Sequence, residues 1–385
     1  MRKTAQNTKA MSKFGAIAFA SLLALSACSD SNSDASTETT TESSATDCPP
    51  ADIKAAADEE GKVNLIALPD NWANYKGILA AFREKYPNVD NPVANPDASS
   101  ADELTAVETL AGQESMPDAL DVSPAIAQEV DTKGLWEPYK PCGFDEIPAE
   151  MKDADGKWVA AYYGVMAIGS NDTIVKEAPT SFADLKDPKY KGLIALNGDP
   201  REAGAAFAAV YAAALANGGS LDDILPGIKY FADLKASGNL AGTDVTEASV
   251  LSGDTPIVID WTYNYPGLKA KLQENGITMT LNVPSDGVYG GYYAQGAVKG
   301  SPNPNAAKLW IDHIISDEGA LGYIEGGAIP ARYAALEAAG KVTEEMKKNL
   351  PAASLLEGLK FATQAQITKA KDVLAKQWGP LVADK

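Results

Sequence analysis

Between residues 72 and 86 the apolar positions Trp72, Tyr75, Leu79, Phe82 and Tyr86 recur at steps of three and four, the spacing of one helix face, and Pro87 ends the run. Residues 63–68 before it read as a short buried strand, broken at Pro69, Asp70 and Asn71. The same unit recurs downstream. Residues 119–122 form a strand that runs into Ser123 as a helix cap and Pro124 at the first helical position. Residues 193–196 form a third strand, followed by Asp199 as a cap, Pro200 inside it and Glu202 as the returning acid of a capping box. Phe207, Val210, Tyr211, Ala214 and Leu215 give that helix its buried stripe, and Asn217, Gly218 and Gly219 stop it. Residues 257–259 are a fourth buried strand, and Ala307, Trp310, Ile311, Ile314 and Ile315 mark a late amphipathic helix.

Repeated strand, turn and capped-helix units argue for α/β lobes with largely parallel sheets. In such sheets a ligand crevice lies beyond the carboxyl ends of the strands, where helix N-termini present free N–H groups. The strand ends here carry Asp70 and Trp72, then Ser123, then Arg201, then Asp260, Trp261, Tyr263 and Tyr265. These residues form the candidate ligand site.

The first 47 residues have no such pattern. Arg2, Lys3, Lys9 and Lys13 precede an apolar run from Phe14 to Ala27 of about 14 residues, shorter than the roughly 20 needed to span a bilayer. A basic start, a short apolar run and small residues describe an export signal over residues 1–27. Residues 25–28 (LSAC) resemble the lipobox of bacterial lipoproteins, in which the signal is cut before the Cys and that Cys, here Cys28, carries a lipid. Residues 28–47 would then be a lipidated disordered tether, because Ser, Thr, Asp, Glu and Asn fill it almost entirely. Its flexible reach is about 25 Å. Export also places Cys48 and Cys142 where disulfides persist, and two cysteines suffice for one bridge.

Length and charge narrow the function. A chain of 385 residues exceeds one ordinary domain, so two lobes are expected. With 33 Lys+Arg against 52 Asp+Glu the net charge is -19, which excludes nucleic acid as a partner. The single histidine, His313, lies inside the helix over residues 305–316, in a solvated or packing role, so histidine-based catalysis and metal sites have little support. No Gly-X-Ser-X-Gly elbow and no phosphate-binding Gly-X-X-X-X-Gly-Lys-Ser/Thr loop occurs, and no enzyme activity, cofactor or metal is expected.

Several stretches carry a resemblance: residues 162–171 (YYGVMAIGSN), 181–192 (SFADLKDPKYKG), 253–261 (GDTPIVIDW), 296–303 (GAVKGSPN) and 315–320 (ISDEGA). In this order, over about residues 50–335, they resemble type II periplasmic (extracellular) solute-binding proteins of ABC importers, in the group that binds polyamines, ferric iron, thiamine or 2-aminoethylphosphonate. The resemblance implies a two-lobed α/β fold with mixed sheets, helices on their flanks and a ligand cleft between the lobes. Residues 48–165 and 287–320 would form lobe one, and 166–286 and 321–385 lobe two with the C-terminal helices. It further implies a monomer that captures a small solute and delivers it to permease subunits and their ATPase. The protein would stay at the cell envelope, held to the membrane through Cys28.

The solute is a separate question. Asp70, Trp72, Tyr162, Tyr163, Asp260, Trp261, Tyr263 and Tyr265 combine carboxylates with aromatic faces, a setting for an amine or polyamine-like cation. Alternatively, these Trp and Tyr are half-buried core and Asp260 only caps the next turn. Ferric iron is a competitor through the tandem tyrosines Tyr162–Tyr163 and Tyr292–Tyr293, but neighbours on a strand face opposite sides. A phosphonate or phosphate ester is the other, through a helix N-terminus and Arg201, although the 199–205 turn lacks a hydroxyl and Arg201 could equally pair with Glu202. A lipid-anchored solute sensor on the same fold is the alternative class.

Overall fold

The computed structural model describes residues 48–384 except 244 and 357. The export signal, the Cys28 lipid site and the tether fall outside the described residues.

The described chain opens with α1 (Ala51–Glu60), β1 (Leu65–Ile66), α2 (Tyr75–Lys85), β2 (Val93–Ala94), α3 (Ser100–Thr109), β3 (Ala119–Val122), α4 (Pro124–Thr132) and β4 (Trp136–Glu137). A long β5 (Tyr162–Asn171) leads to β6 (Ile194–Leu196), α5 (Gly204–Ala216), α6 (Leu225–Ser237), α7 (Glu247–Ser252), β7 (Ile257–Trp261), α8 (Tyr265–Glu274) and β8 (Met279–Asn282). Next come β9 (Tyr289–Tyr292), β10 (Ala294–Val298), α9 (Pro304–Ile315), α10 (Asp317–Glu325) and β11 (Ile329–Pro330). The last elements are α11 (Tyr333–Ala338), α12 (Glu344–Lys347), β12 (Lys360–Phe361) and α13 (Gln364–Trp378).

One lobe is built on the three-stranded sheet β3-β10-β4, with the β1-β2 pair beside it; the other is built on a seven-stranded sheet in which β12-β9-β5-β7-β6 run side by side. β5 joins them. Its first residues pair with β9 and β11, and from Met166 onward it pairs with β7 and β8. The chain therefore leaves the first lobe through residues 159–163 and returns through β9 into β10, with Val159 bridged to Gln295. A third strand, β11, lies against the outgoing one, and Ala331 N–H donates to Ala161 O.

The sheets are mixed where the capped-helix units suggested largely parallel ones. β6 and β7 are parallel, joined by a crossover in which α5 and α6 pack with Ile257 and Ile259 on one face of the sheet and Val250 of α7 packs with Val258 on the other. β5 and β10 enter their sheets by crossing between lobes, and both run antiparallel to their neighbours.

A second difference lies at residues 199–203. Asp199 does not cap a helix there: its carboxylate accepts from the Arg201 backbone and guanidinium, and α5 begins only at Gly204, with Ala203 as N-cap and no side-chain cap. The Asp199 carboxylate that a capping box would have turned to Glu202 N–H is taken by Arg201, and Glu202 N–H donates to Asp199 backbone O instead. α4 does begin at Pro124 behind Ser123, as its sequence suggests, although the Ser123 side chain makes no capping bond.

His313 is fully buried. Its ring packs against Phe82 and Trp310, Nε2 lies 3.1 Å from Ile78 O, and burial pulls its pKa down to about 4. Cys48 and Cys142 are joined by a disulfide with Cα atoms 6.0 Å apart, which fastens the segment before α1 to the loop after β4. Asp312 of α9 accepts from the Cys142 backbone N–H.

Candidate functional site

The lobes enclose a cleft of about 820 Å³, walled on one side by the ends of β3 and α3 and on the other by the start of α5 and by Trp261. Behind it run the crossing strands, and their glycines decide where the aromatic rings lie. Gly164 of β5 pairs with Gly291 of β9. A Cβ on Gly291 would stand 2.3 Å from the Trp261 ring, and one on Gly164 would stand 2.4 Å from the Tyr263 ring. Side chains at either position would push these rings away. Trp261 and Tyr263 stack at 6.1 Å between ring centres, and Trp72 closes on Tyr263 at 5.2 Å and on Tyr293 at 5.5 Å.

On the first-lobe side the dominant group is Asp121. It is the acid of β3, 8% exposed, and lines the cleft. Its Oδ2 accepts from the Tyr75 hydroxyl at 2.6 Å and from the Tyr162 hydroxyl at 3.3 Å, whereas Oδ1 has no hydrogen-bond partner. Its backbone N–H donates to Glu103 of α3 at 3.0 Å. α3 is positioned by a capping box between Ser99 and Asp102, which turns the next residue, Glu103, into the interior. Burial disfavours both charged forms. It pushes Asp121 up to about 7, with Tyr75, Tyr162 and Gln295 pulling it partly back. Burial also raises Glu103 well above the usual carboxyl range, and the Asp121 charge adds to that.

The sequence-derived candidates divide sharply. Trp72, Ser123, Arg201 and Trp261 line the cleft. Tyr162 lies directly behind it and accepts from Trp72 Nε1 at 2.7 Å; Tyr263 is buried against Trp72 and Trp261. Trp261 Nε1 and the Tyr263 hydroxyl are both buried without a hydrogen-bond partner. Asp70 is exposed on the turn before α2 and is not among the lining residues. Tyr163 faces away from Tyr162 and packs edge-on against Phe361. Asp260 is buried, accepts from Trp261 N–H, Asn264 and Asn197, and is raised to about 6 by burial. Its bonds tie β7 to the turn after it and to Asn197, without capping a helix. Tyr265 directs its hydroxyl to the carbonyls of Ala167 and Val258, within the core of the second lobe.

Arg201 is occupied by Asp199, to which its guanidinium donates in a fork. Tyr292 stacks on Trp158 while Tyr293 meets Trp72, so both tandem tyrosine pairs split between opposite faces. Asp121, Glu103 and Tyr293 are cleft residues that strand-end reasoning passes over. Asp121 had a signal, a lone acid within an otherwise apolar strand. Glu103 had none, since only the packing of α3 on β3 brings it inward.

Two lobes joined by crossing strands, with a cleft between them that holds a buried carboxyl pair and aromatic faces, make a type II periplasmic binding fold. The chain belongs to the family described as bacterial extracellular solute-binding proteins, whose model matches residues 115–355. Similar solved structures include the spermidine/putrescine transporter substrate-binding protein PotD of Streptococcus pneumoniae, with 18% identity and a TM-score of 0.63 over 83% of this chain and 99% of that one. Iron-bound HitA of Pseudomonas aeruginosa matches at 20% identity and 0.62 over 82% of this chain and 98% of its own. AfuA of Actinobacillus pleuropneumoniae, with fructose-6-phosphate bound, matches at 18% and 0.63 over 82% and 98%. An uncharacterized protein of Haemophilus influenzae is 29% identical over 202 residues, 48% of this chain, which thus spans about half, 54%, of that relative's length. Among the described residues no helix is long and apolar enough to cross a membrane.

Proposed function

We propose that the protein is the substrate-binding component of an ABC importer, and that its cleft captures a small solute bearing a cationic amine. The carrying observation is Asp121, a buried carboxyl that lines a cleft walled by Trp72, Trp261 and Tyr293 and whose occluded Oδ1 has no hydrogen-bond partner. An ammonium there would supply the missing partner and favour ionised Asp121, while the indole faces add roughly 0.5 to 2 kcal/mol per cation contact. The likeness to a spermidine/putrescine-binding protein supports an amine. The likeness to an iron-bound protein does not carry iron across, because each tandem tyrosine pair here splits between two faces.

In this reading Cys28 carries the lipid, residues 28–47 form the tether, and a monomer delivers its solute to permease subunits and their ATPase. Lobe one takes residues 48–165 with 287–320, of which the crossing strand β9 stays paired in the second lobe's sheet, and lobe two takes 166–286 with 321–385. Trp72, Ser123, Trp261, Tyr162 and Tyr263 serve the site together with Asp121.

Native mass spectrometry of the purified protein should reveal a retained amine-bearing solute. Added at 100 times its dissociation constant, that solute should stabilise the fold by about 2.7 kcal/mol, a readily measured thermal shift. Asp121→Asn should weaken it at least about tenfold, the scale of losing a charge-assisted hydrogen bond. A solute that lacks any basic nitrogen, or full affinity in Asp121→Asn, would remove the amine assignment.

A further inference from the structure

The family match ends at residue 355, but the cleft wall does not. Beyond it, β12 joins the seven-stranded sheet parallel to β9, and α13 follows behind a capping box formed by Thr363 and Gln366. α13 is fastened to the second lobe: Tyr211 donates to Gln366 O at 2.9 Å, and Gln366 and Lys369 donate to Asp222 at 3.2 and 3.1 Å. It also packs against α4 of the first lobe, so one helix reaches from one side of the cleft to the other.

Ile367, Ala370, Leu374 and Trp378 are the buried stripe that holds α13 down. Lys371 lies one turn after Ile367, on the same face by helical spacing, and both line the cleft. Its Nζ lies over the Phe207 ring, 5.9 Å from the ring centre. Nζ makes no hydrogen bond or ion pair among the described residues. The other cation on the cleft wall, Arg201, is already bound by Asp199. Burial lowers the Lys371 pKa, with the charge of Glu129 on α4 acting against it. The start of α5 faces the same space through Gly204, and its first turn has no side-chain cap.

The geometry points to Lys371 as a specificity-determining residue: it receives an acidic group of the solute, so that the transported molecule is an aminoalkyl acid with its ammonium at Asp121 and its oxyanion at Lys371. This rests on the cleft being the solute site and narrows that reading from amines in general to zwitterions. The cleft wall then presents opposite charges, a buried carboxyl pair on the first lobe and, on α13, an ammonium with no anionic partner among the described residues. A diamine satisfies the first and is repelled by the second. The selecting residue would come from the C-terminal segment that lies beyond the family match.

The test uses calorimetric titration of the purified full chain with three probes: 1,4-diaminobutane, 4-aminobutanoate and 3-aminopropylphosphonate. At least one of the two acids should bind about tenfold or more tightly than the diamine, as expected for one added charge-assisted contact. Lys371→Gln should remove that advantage and leave diamine binding unchanged or improved, and Lys371→Arg should keep most of it. The diamine is the internal control for folding. If Lys371→Gln weakens all three probes alike, or if the diamine binds best to the unaltered protein, the assignment of Lys371 is overturned. If Asp121→Asn abolishes binding while Lys371→Gln changes nothing, the amine site stands and the zwitterion inference falls. If no probe binds, both fall.

Discussion

The Tyr75 hydroxyl donates to Asp121 Oδ2 at 2.6 Å, and the same hydroxyl accepts from Gln295 Nε2 at 2.7 Å. Gln295 Oε1 in turn accepts from the backbone N–H of Ala161. A single chain of hydrogen bonds thus runs from the cleft carboxyl through α2 to both crossing strands. The group facing the solute and the segments joining the lobes share one buried polar network, in which each member depends on the others being satisfied.

The pH dependence of stability should carry the signature of Asp121. Its folded pKa of about 7 lies above the unfolded value of about 3.9, so its contribution is fully present below about pH 4 and is lost as pH rises through 7. His313 acts in the opposite sense. With a folded value of about 4 and an unfolded value near 6.5, it costs stability as pH falls through that window. The two oppose each other in the whole-protein curve, so the measurement is a difference between variants. Denaturant unfolding of Asp121→Asn should gain on the unaltered protein by a few kcal/mol between pH 4 and pH 8, on the order of the pKa displacement. A flat difference curve would show that Asp121 ionises normally.

Gly291→Ala tests the seating of the aromatic wall. A Cβ 2.3 Å from the Trp261 ring cannot be accommodated in place. Overpacking of this kind typically costs 1–3 kcal/mol. The variant should melt lower, shift Trp fluorescence and lose most solute affinity. An unchanged spectrum with unchanged affinity would mean that Trp261 rests elsewhere.

Tyr162→Phe separates the two aromatic layers. It removes the acceptor of Trp72 Nε1 and one donor to Asp121. We expect a loss of about 0.5–1.5 kcal/mol from the lost hydrogen bond of the half-buried Trp72 indole and a further rise of the Asp121 pKa. Thermal unfolding and the midpoint of the pH difference curve are the readouts.

Reduction of the Cys48–Cys142 bridge should destabilise the body without touching the cleft. The bridge spans a sequence separation of 94 residues. In the chain-entropy model such a loop is worth up to roughly 4 to 5 kcal/mol, and native bridges often give less. Paired serine variants should therefore unfold at lower denaturant while binding the solute with unaltered stoichiometry. Loss of binding at temperatures where the fold persists would place the bridge closer to the site than its geometry indicates.

The sequence determined what is local and what is periodic. The spacing of Tyr75, Leu79 and Phe82 sets the face of α2, Ser123 and Pro124 start α4, and the apolar run in residues 257–259 marks the strand β7, because turns and caps are written within a few neighbouring residues. The aromatic cluster was legible for the same reason, since Trp72 and Trp261 stand at strand ends that open on the cleft. Even so, Asp260 and Tyr265, which look the same in the chain, are spent on a turn and on core carbonyls. Only the tertiary structure decided between them. It buried Asp121 beside Glu103, residues 18 positions apart, and brought Lys371 from α13 to the same cleft. Burial and long-range proximity set the protonation and the partner of such a group. Neither quantity is encoded in a residue's own neighbourhood along the chain.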